Sequence, residues 1–128
     1  MEAVCDIQPA RFTRLSEVYR CPRQFKSFRE MLKTAPLDAV AVFTPAPMHA
    51  WMAMEAMKAG KHVLSAVPAG LHVEELEQLL DTVKSTGLRY MMAETSYYRP
   101  ELITCREMAR RGEFGTIFYS RRSTTTRG

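Results

Sequence analysis

The stretch from Asp38 to Pro68, DAVAVFTPAPMHAWMAMEAMKAGKHVLSAVP, constrains what this chain can fold into more than any other. Ala39–Phe43 is a short apolar run rich in β-branched and aromatic residues, and it predicts a strand buried on both faces. Thr44-Pro45-Ala46-Pro47 ends that run, because each proline fixes φ and removes an amide donor. From Met48 the spacing turns helical: Ala50, Ala53 and Met57 share one face, with Met54 at its flank. Lys58-Ala59-Gly60 closes the helix with a cation in the last turn and a glycine suited to the left-handed stop. Lys61–Ser65 predicts the next strand, and Pro68 ends it. Two strands joined through a helix pair in parallel, which is the repeating unit of doubly wound α/β folds.

The flanking sequence continues the alternation. Met1–Ile7 (MEAVCDI) predicts a strand ending near Asp6. Pro9 suits the first position of a helix, which Phe12, Leu15 and Tyr19 continue until Pro22 stops it. An extended segment follows around Gln24–Lys26. Ser27-Phe28-Arg29-Glu30 has the form of a capping box and opens a short helix to Lys33 that offers Phe28, Met31 and Leu32 to a core. Beyond Pro68, the residues Val73, Leu76, Leu79, Leu80 and Val83 draw an amphipathic helix that ends at Lys84 and Gly87. Glu74, Glu75 and Glu77 occupy its first turns, where the dipole favours anions. Leu88–Ala93 predicts a strand, Glu94–Arg99 a polar and aromatic loop, and Pro100 the start of a helix carrying Leu102, Ile103, Cys105 and Met108. Gly112 stops that helix, and Thr116–Ser120 predicts a last strand. The tail RRSTTTRG offers no visible partner. Alternating strands and helices at this spacing predict a largely parallel sheet covered by helices.

The bulk properties exclude several classes. A chain of 128 residues is one domain's worth, and 46% apolar with 25% charged residues is ordinary for a soluble globular protein. The net charge of +4 is spread along the chain with no base-reading motif, which argues against nucleic-acid binding. Cys5, Cys21 and Cys105 form no Cys-x-x-Cys pair, so buried or half-buried thiols in a reducing compartment are expected rather than a disulfide frame or a zinc site. Glu2 and Asp6 stand where a signal peptide needs basic residues and then an apolar run. No segment approaches the roughly 18 apolar residues of a membrane span. A cytoplasmic location is expected.

Thr44-Pro45-x-x-x-His49, followed by Ala53, Ala56, Gly60-Lys61-His62-Val63 and Pro68, resembles the Gfo/Idh/MocA family of NAD- or NADP-dependent oxidoreductases. The resemblance covers nearly the whole chain, from the second strand of the family's nucleotide domain to the first strand of its second domain. It implies a Rossmann-like fold, residues 1–113 being part of the dinucleotide-binding domain and 114–128 the start of a further α/β domain. Asp6 then resembles the acidic residue that bonds the adenosine ribose hydroxyls, although a role as helix N-cap two or three residues ahead of Pro9 explains it equally well. Thr44, Pro45, His49, Pro68 and Thr95 are expected along the cofactor. His49, a lone histidine, reads as a positioning or packing residue rather than a proton carrier. His62 reads as helping to end the preceding helix, and His72 as a surface residue.

The departures from the family carry as much information. The family's usual Glu-Lys-Pro is here Ala66-Val67-Pro68, and valine neither donates nor accepts a proton. Glu94 and Tyr98 are then the remaining catalytic candidates. The NAD-dependent glycosidase branch, of α-N-acetylgalactosaminidase type, is similar in Val67-Pro68-Ala69 and in the Met91-Met92-Ala93-Glu94-Thr95-Ser96-Tyr97-Tyr98 segment, but keeps a glutamate where this chain has Ala66. None of the six glycines forms Gly-x-Gly-x-x-Gly after a strand, so the usual pyrophosphate cradle is absent. In the family that loop follows a central first strand. Without it, Met1–Ile7 is expected either to pair directly beside Ala39–Phe43 or to dock loosely. The whole reads as a fragment of an oxidoreductase acting on a sugar, cyclitol or related polyol, inactive by itself. The alternatives are the redox glycosidase and a non-catalytic remnant. The expected partner is a small sugar-like molecule, with self-association through exposed strand edges.

Overall fold

A computed structural model describes residues 1–120, and the RRSTTTRG tail lies outside the described residues. The chain divides into two compact units, Met1–Ala93 and Glu94–Gly128. The first holds β1 (Ala3–Cys5), α1 (Pro9–Tyr19), β2 (Arg23–Phe25), α2 (Phe28–Thr34), β3 (Ala39–Val42), α3 (His49–Lys58), β4 (His62–Ser65), α4 (Val73–Thr86) and β5 (Tyr90–Met92). The alternation read from the sequence is therefore present, and every strand pair is parallel.

The strands form two small sheets rather than one, β1 with β2 and β3-β4-β5. Direct pairing of the N-terminal strand beside β3 does not occur among the described residues. Each pair is instead brought together by its own crossover: α1 carries the chain from β1 to β2, and α3 from β3 to β4. Alternate residues of a parallel strand point to opposite edges. The Asp6 amide donates to the Phe25 carbonyl, and His62 donates to Asp38. Cys5 and Ala41, at the intervening positions, turn their backbone groups to edges that carry no ladder partner among the described residues. Side chains join the two sheets: Ala3, Cys5 and Phe25 pack against the cluster that holds Met31, Leu32, Val40 and Val42.

The strand at Ala39 is buried on one face only. Val40 and Val42 are buried while Ala39 and Ala41 are exposed, because the described residues supply no layer over that face. Phe43, also exposed, falls outside the strand. A single 3-10 turn, Ala46–Met48, separates β3 from α3, so the helix begins one residue later than its period suggests. α3 is the centre of the core. Ala53 and Ala56 are fully buried, and Ala50 and Met57 are 1% exposed. The small alanines let β3, β4 and α4 approach closely, and Met57 fills the remaining space.

Several side chains depart from expectation. Tyr19 is exposed, because α1 covers Val4 with Phe12 and Leu15 and its last turn extends beyond them. Arg20, in the left-handed conformation, ends that helix ahead of Pro22. On α4 only Leu79 and Thr82 are buried, whereas Val73, Leu76 and Leu80 stay exposed. Cys105 is exposed, unlike buried Cys21 and half-buried Cys5. Ser27 does cap α2, its hydroxyl accepting from the Glu30 amide at 3.3 Å. His62 does not end α3: its Nδ1 accepts from the Arg89 amide at 3.0 Å and ties β4 to the approach of β5.

The second unit, taken by itself, has a 3-10 turn at Thr95–Tyr98 and helix α5 (Pro100–Arg110), on which no residue is buried. Thr116–Ser120 is exposed and has no regular structure, contrary to the strand its composition predicts. A strand needs a ladder partner to satisfy its backbone, and none stands beside it among the described residues.

Candidate functional site

Three predicted site positions follow the carboxyl end of a strand: Asp6 after β1, Thr44 after β3 and Pro68 after β4. In open α/β sheets that edge is where ligands bind, because loops there are free to vary while the sheet holds them in place. The Asp6 carboxylate accepts from the Gln8 amide at 2.8 Å and from the Arg11 guanidinium at 3.2 Å. The Gln8 amide first, and Arg11 with it, hold the carboxyl below the usual range against the opposing effect of burial. Asp6 is thus an ionised acceptor that steadies the start of α1, with Gln8 rather than Asp6 at the N-cap position. The neighbouring Cys5 thiol is pushed up, by burial and then by the Asp6 charge, which keeps it protonated and unreactive.

The turns after β3 and β4 are joined by one side chain. His49, 2% exposed, places Nε2 at 2.6 Å from the Thr44 carbonyl and Nδ1 at 2.7 Å from the Pro68 carbonyl. The structure therefore brings together Thr44, Pro45, His49 and Pro68, four of the positions singled out from the sequence. Both His49 ring nitrogens are engaged by backbone. The Thr44 hydroxyl oxygen is buried and has no hydrogen-bond partner, an unmet polar group at the edge where a ligand would lie. Val67, in the place of the usual lysine, is 41% exposed, and the Val67–Pro68 bond is cis.

Further along the same turn, Gly70 sits where an added Cβ would lie 3.4 Å from the Ala50 Cβ and 3.2 Å from Glu75 Oε2. Glu75 spends that oxygen on the Leu71 and His72 amides, at 2.8 and 3.1 Å. These amides, Leu71 first, hold its carboxyl below the usual range. The sequence places Glu75 in the acidic first turn of α4 but does not reveal that it closes the turn ahead of it. Behind the site, burial pushes the Tyr90 phenol up against the opposing effect of the nearby Ser65 hydroxyl. Nothing in the local sequence marks Tyr90, whose half-buried side chain packs against the main core cluster.

Glu94, Thr95 and Tyr98 belong to the second unit. Glu94 Oε1 accepts from the Ser96 amide at 2.8 Å and caps the 3-10 turn. Thr95 is exposed, and Tyr98 is 58% exposed with its ring edge-on to Tyr97 at 5.2 Å. Arg106 lies over Tyr97, 3.8 Å from the ring centroid, and donates to its carbonyl at 2.6 Å. An open hollow of about 570 Å³ is lined by Glu94, Tyr97, Cys105, Arg106 and Phe114 among others. Among the described residues no cluster of His, Cys, Asp and Glu is placed to hold a metal, and no helix is long and apolar enough to cross a membrane.

Parallel strands joined by crossover helices define an α/β protein of Rossmann type. Residues 1–94 match the model of the oxidoreductase family with an NAD-binding Rossmann fold, GFO_IDH_MocA, and the chain belongs to that family. Over 93 residues it is 40% identical to glycosyl hydrolase family 109 protein 1 of Shewanella sp. strain ANA-3, covering 73% of this chain and 20% of that protein. It is 39% identical over the same length, with the same coverage, to an alpha-N-acetylgalactosaminidase of Shewanella oneidensis. The WlbA dehydrogenase of Bordetella pertussis, solved in complex with NADH and UDP-GlcNAcA, superposes with a TM-score of 0.83 at 25% identity, over 89% of this chain and 35% of that one. The chain thus spans about a fifth of the length of the curated relatives it matches.

The residues present suit one part of a dinucleotide. The ionised Asp6 carboxylate is the kind of acceptor that a ribose hydroxyl needs, and the Thr44 hydroxyl lacks a partner. For the pyrophosphate the fit fails. Gly60, Gly87 and Gly112 have positive φ at or just past the ends of helices, where they serve as stops, and none opens a helix after a strand.

Proposed function

We propose that this chain is the cofactor-side part of an NAD- or NADP-dependent enzyme that acts on a sugar, cyclitol or related polyol by hydride transfer. The observation that carries the reading is the braced pair of strand-end turns, Thr44–Met48 and Ala66–Gly70, in a chain of this family. The nicotinamide group, when bound, accepts or supplies the hydride. The chain's own residues bind and orient. Asp6 accepts from ribose hydroxyls, while Thr44, Pro45, Pro68 and Thr95 line the cofactor and His49 holds the turns. Glu94 and Tyr98 handle the proton that Val67 cannot. Residues 1–113 form part of the dinucleotide domain and 114–128 open a second one. The three unpaired cysteines agree with a reducing cytoplasm, and the open strand edges with self-association.

A second reading has its own support. The relatives at 39–40% identity include a glycosidase, and Val67-Pro68-Ala69 resembles that branch. In such an enzyme a sugar is oxidised, loses its aglycone, takes up water and is reduced again. Ala66 stands against it, since no carboxylate is available there.

NADH titrated into the chain, followed by energy transfer from Trp51, tests the cofactor site. We expect saturable binding weaker than micromolar, because the pyrophosphate lacks its cradle, and further weakening in Thr44→Val. Absence of any saturable transfer points to a non-catalytic remnant. With NAD, polyols and aryl glycosides, the isolated chain should turn over neither substrate. In a longer protein containing this chain, net NADH formation from a polyol supports the first reading, and glycoside cleavage without net NADH supports the second.

A further inference from the structure

We infer that His49 is a positioning residue that donates from both ring nitrogens at once, locking the turns after β3 and β4 into one unit. A carbonyl oxygen only accepts, so each of the two short contacts, to Thr44 and to Pro68, requires an N–H on the ring. A neutral imidazole has one N–H and would set a lone pair against the other oxygen. Rotating the ring by half a turn does not relieve this. It would place carbon atoms 2.6–2.7 Å from the oxygens, well inside the roughly 3.3–3.6 Å of C–H···O contacts. Burial and the positive end of α3 act against a charged ring. Two charge-assisted bonds act for it, and only one of the two is kept in the neutral form. The carboxylate carried by the Pro68 side of the brace is Glu75, committed to the Leu71 and His72 amides. Among the described residues no ion pair to His49 occurs, and its ring nitrogens meet the Thr44 and Pro68 carbonyls.

The brace has a directional consequence. Thr44 is held through its carbonyl while its hydroxyl stays unpaired, and Pro68 is held through its carbonyl while Val67 faces outward. His49 therefore acts on a ligand through Thr44 and the Ala66–Pro68 turn, without touching it. This part of the inference rests on the cofactor-site reading given above.

Ring nitrogen NMR on the native chain at neutral pH decides the brace. Two proton-bearing nitrogens on His49, each slow to exchange with water, are expected, and a single proton-bearing nitrogen overturns the inference. In His49→Gln, which offers one donor group, amide exchange should quicken about tenfold in residues 44–48 and 66–70. Exchange that quickens only within α3 identifies a packing role and overturns it. NADH-induced shifts at the Thr44 and Val67 amides then report on the ligand. Shifts in the native chain that shrink in His49→Gln uphold the positioning role. Shifts absent from the native chain overturn that role and the cofactor reading, while the ring signal still decides the brace.

Discussion

At the residue scale, what a side chain does here is set by the backbone groups it meets. Glu75 and Asp6 are both carboxylates that close turns by accepting from amides two to four residues away. The Glu75 carboxyl is held below its ordinary value, so its contribution is present above the unfolded value of 4.5 and is lost as pH falls through the folded one. Thermal melts from pH 6 downward should show the native chain losing stability across that window. Glu75→Gln should start lower and lose less, since its amide stays neutral throughout. A variant with the same acid profile as the native chain would remove Glu75 from the account. Asp6 and Glu75 were visible as acids near helix starts. Which amides they serve was not, because that depends on how the chain bends before each helix.

At the element scale, α3 is the helix that positions the site. Its N-terminal residue supplies the brace, and its fully buried Ala53 and Ala56 set how closely the sheet approaches. Truncating Met57→Ala should cost about 2–5 kcal/mol in denaturant unfolding, through lost burial and the cavity left. Enlarging Ala53→Leu should cost at least about 1–3 kcal/mol by overpacking. If Ala53→Leu leaves the midpoint unchanged, the core at this helix is looser than the structure shows. The apolar period of α3 was legible, down to Ala50, Ala53 and Met57. For α4 the same kind of period misleads: Val73, Leu76 and Leu80 fit the stripe yet remain exposed. Periodicity states which residues share a face, and only a neighbouring layer states whether that face is covered.

For the whole molecule, two short parallel sheets share one side-chain cluster without sharing a ladder. Native-state hydrogen exchange should expose the arrangement. Amides of Leu64 and Ala66, which face β3, should be the slow ones, protected toward the global limit. Amides of Cys5 and Ala41 should exchange faster by about a hundredfold or more, since they open without breaking a strand pair. Equal protection of Ala41 and Leu64 would mean that the edge of β3 is paired.

The sequence by itself determined the order of strands and helices as far as α5, the parallel sense of the strands, the family and the loss of a proton carrier at Val67. These follow from local chemistry: apolar period, proline and glycine punctuation, and which side chains titrate. Only the tertiary structure decided that the strands divide into two sheets, that Ala39 and Ala41 lie bare, and that both His49 nitrogens are taken. Those facts depend on groups distant in the chain, such as Thr44 and Pro68 meeting across one ring, and no local pattern encodes such a meeting.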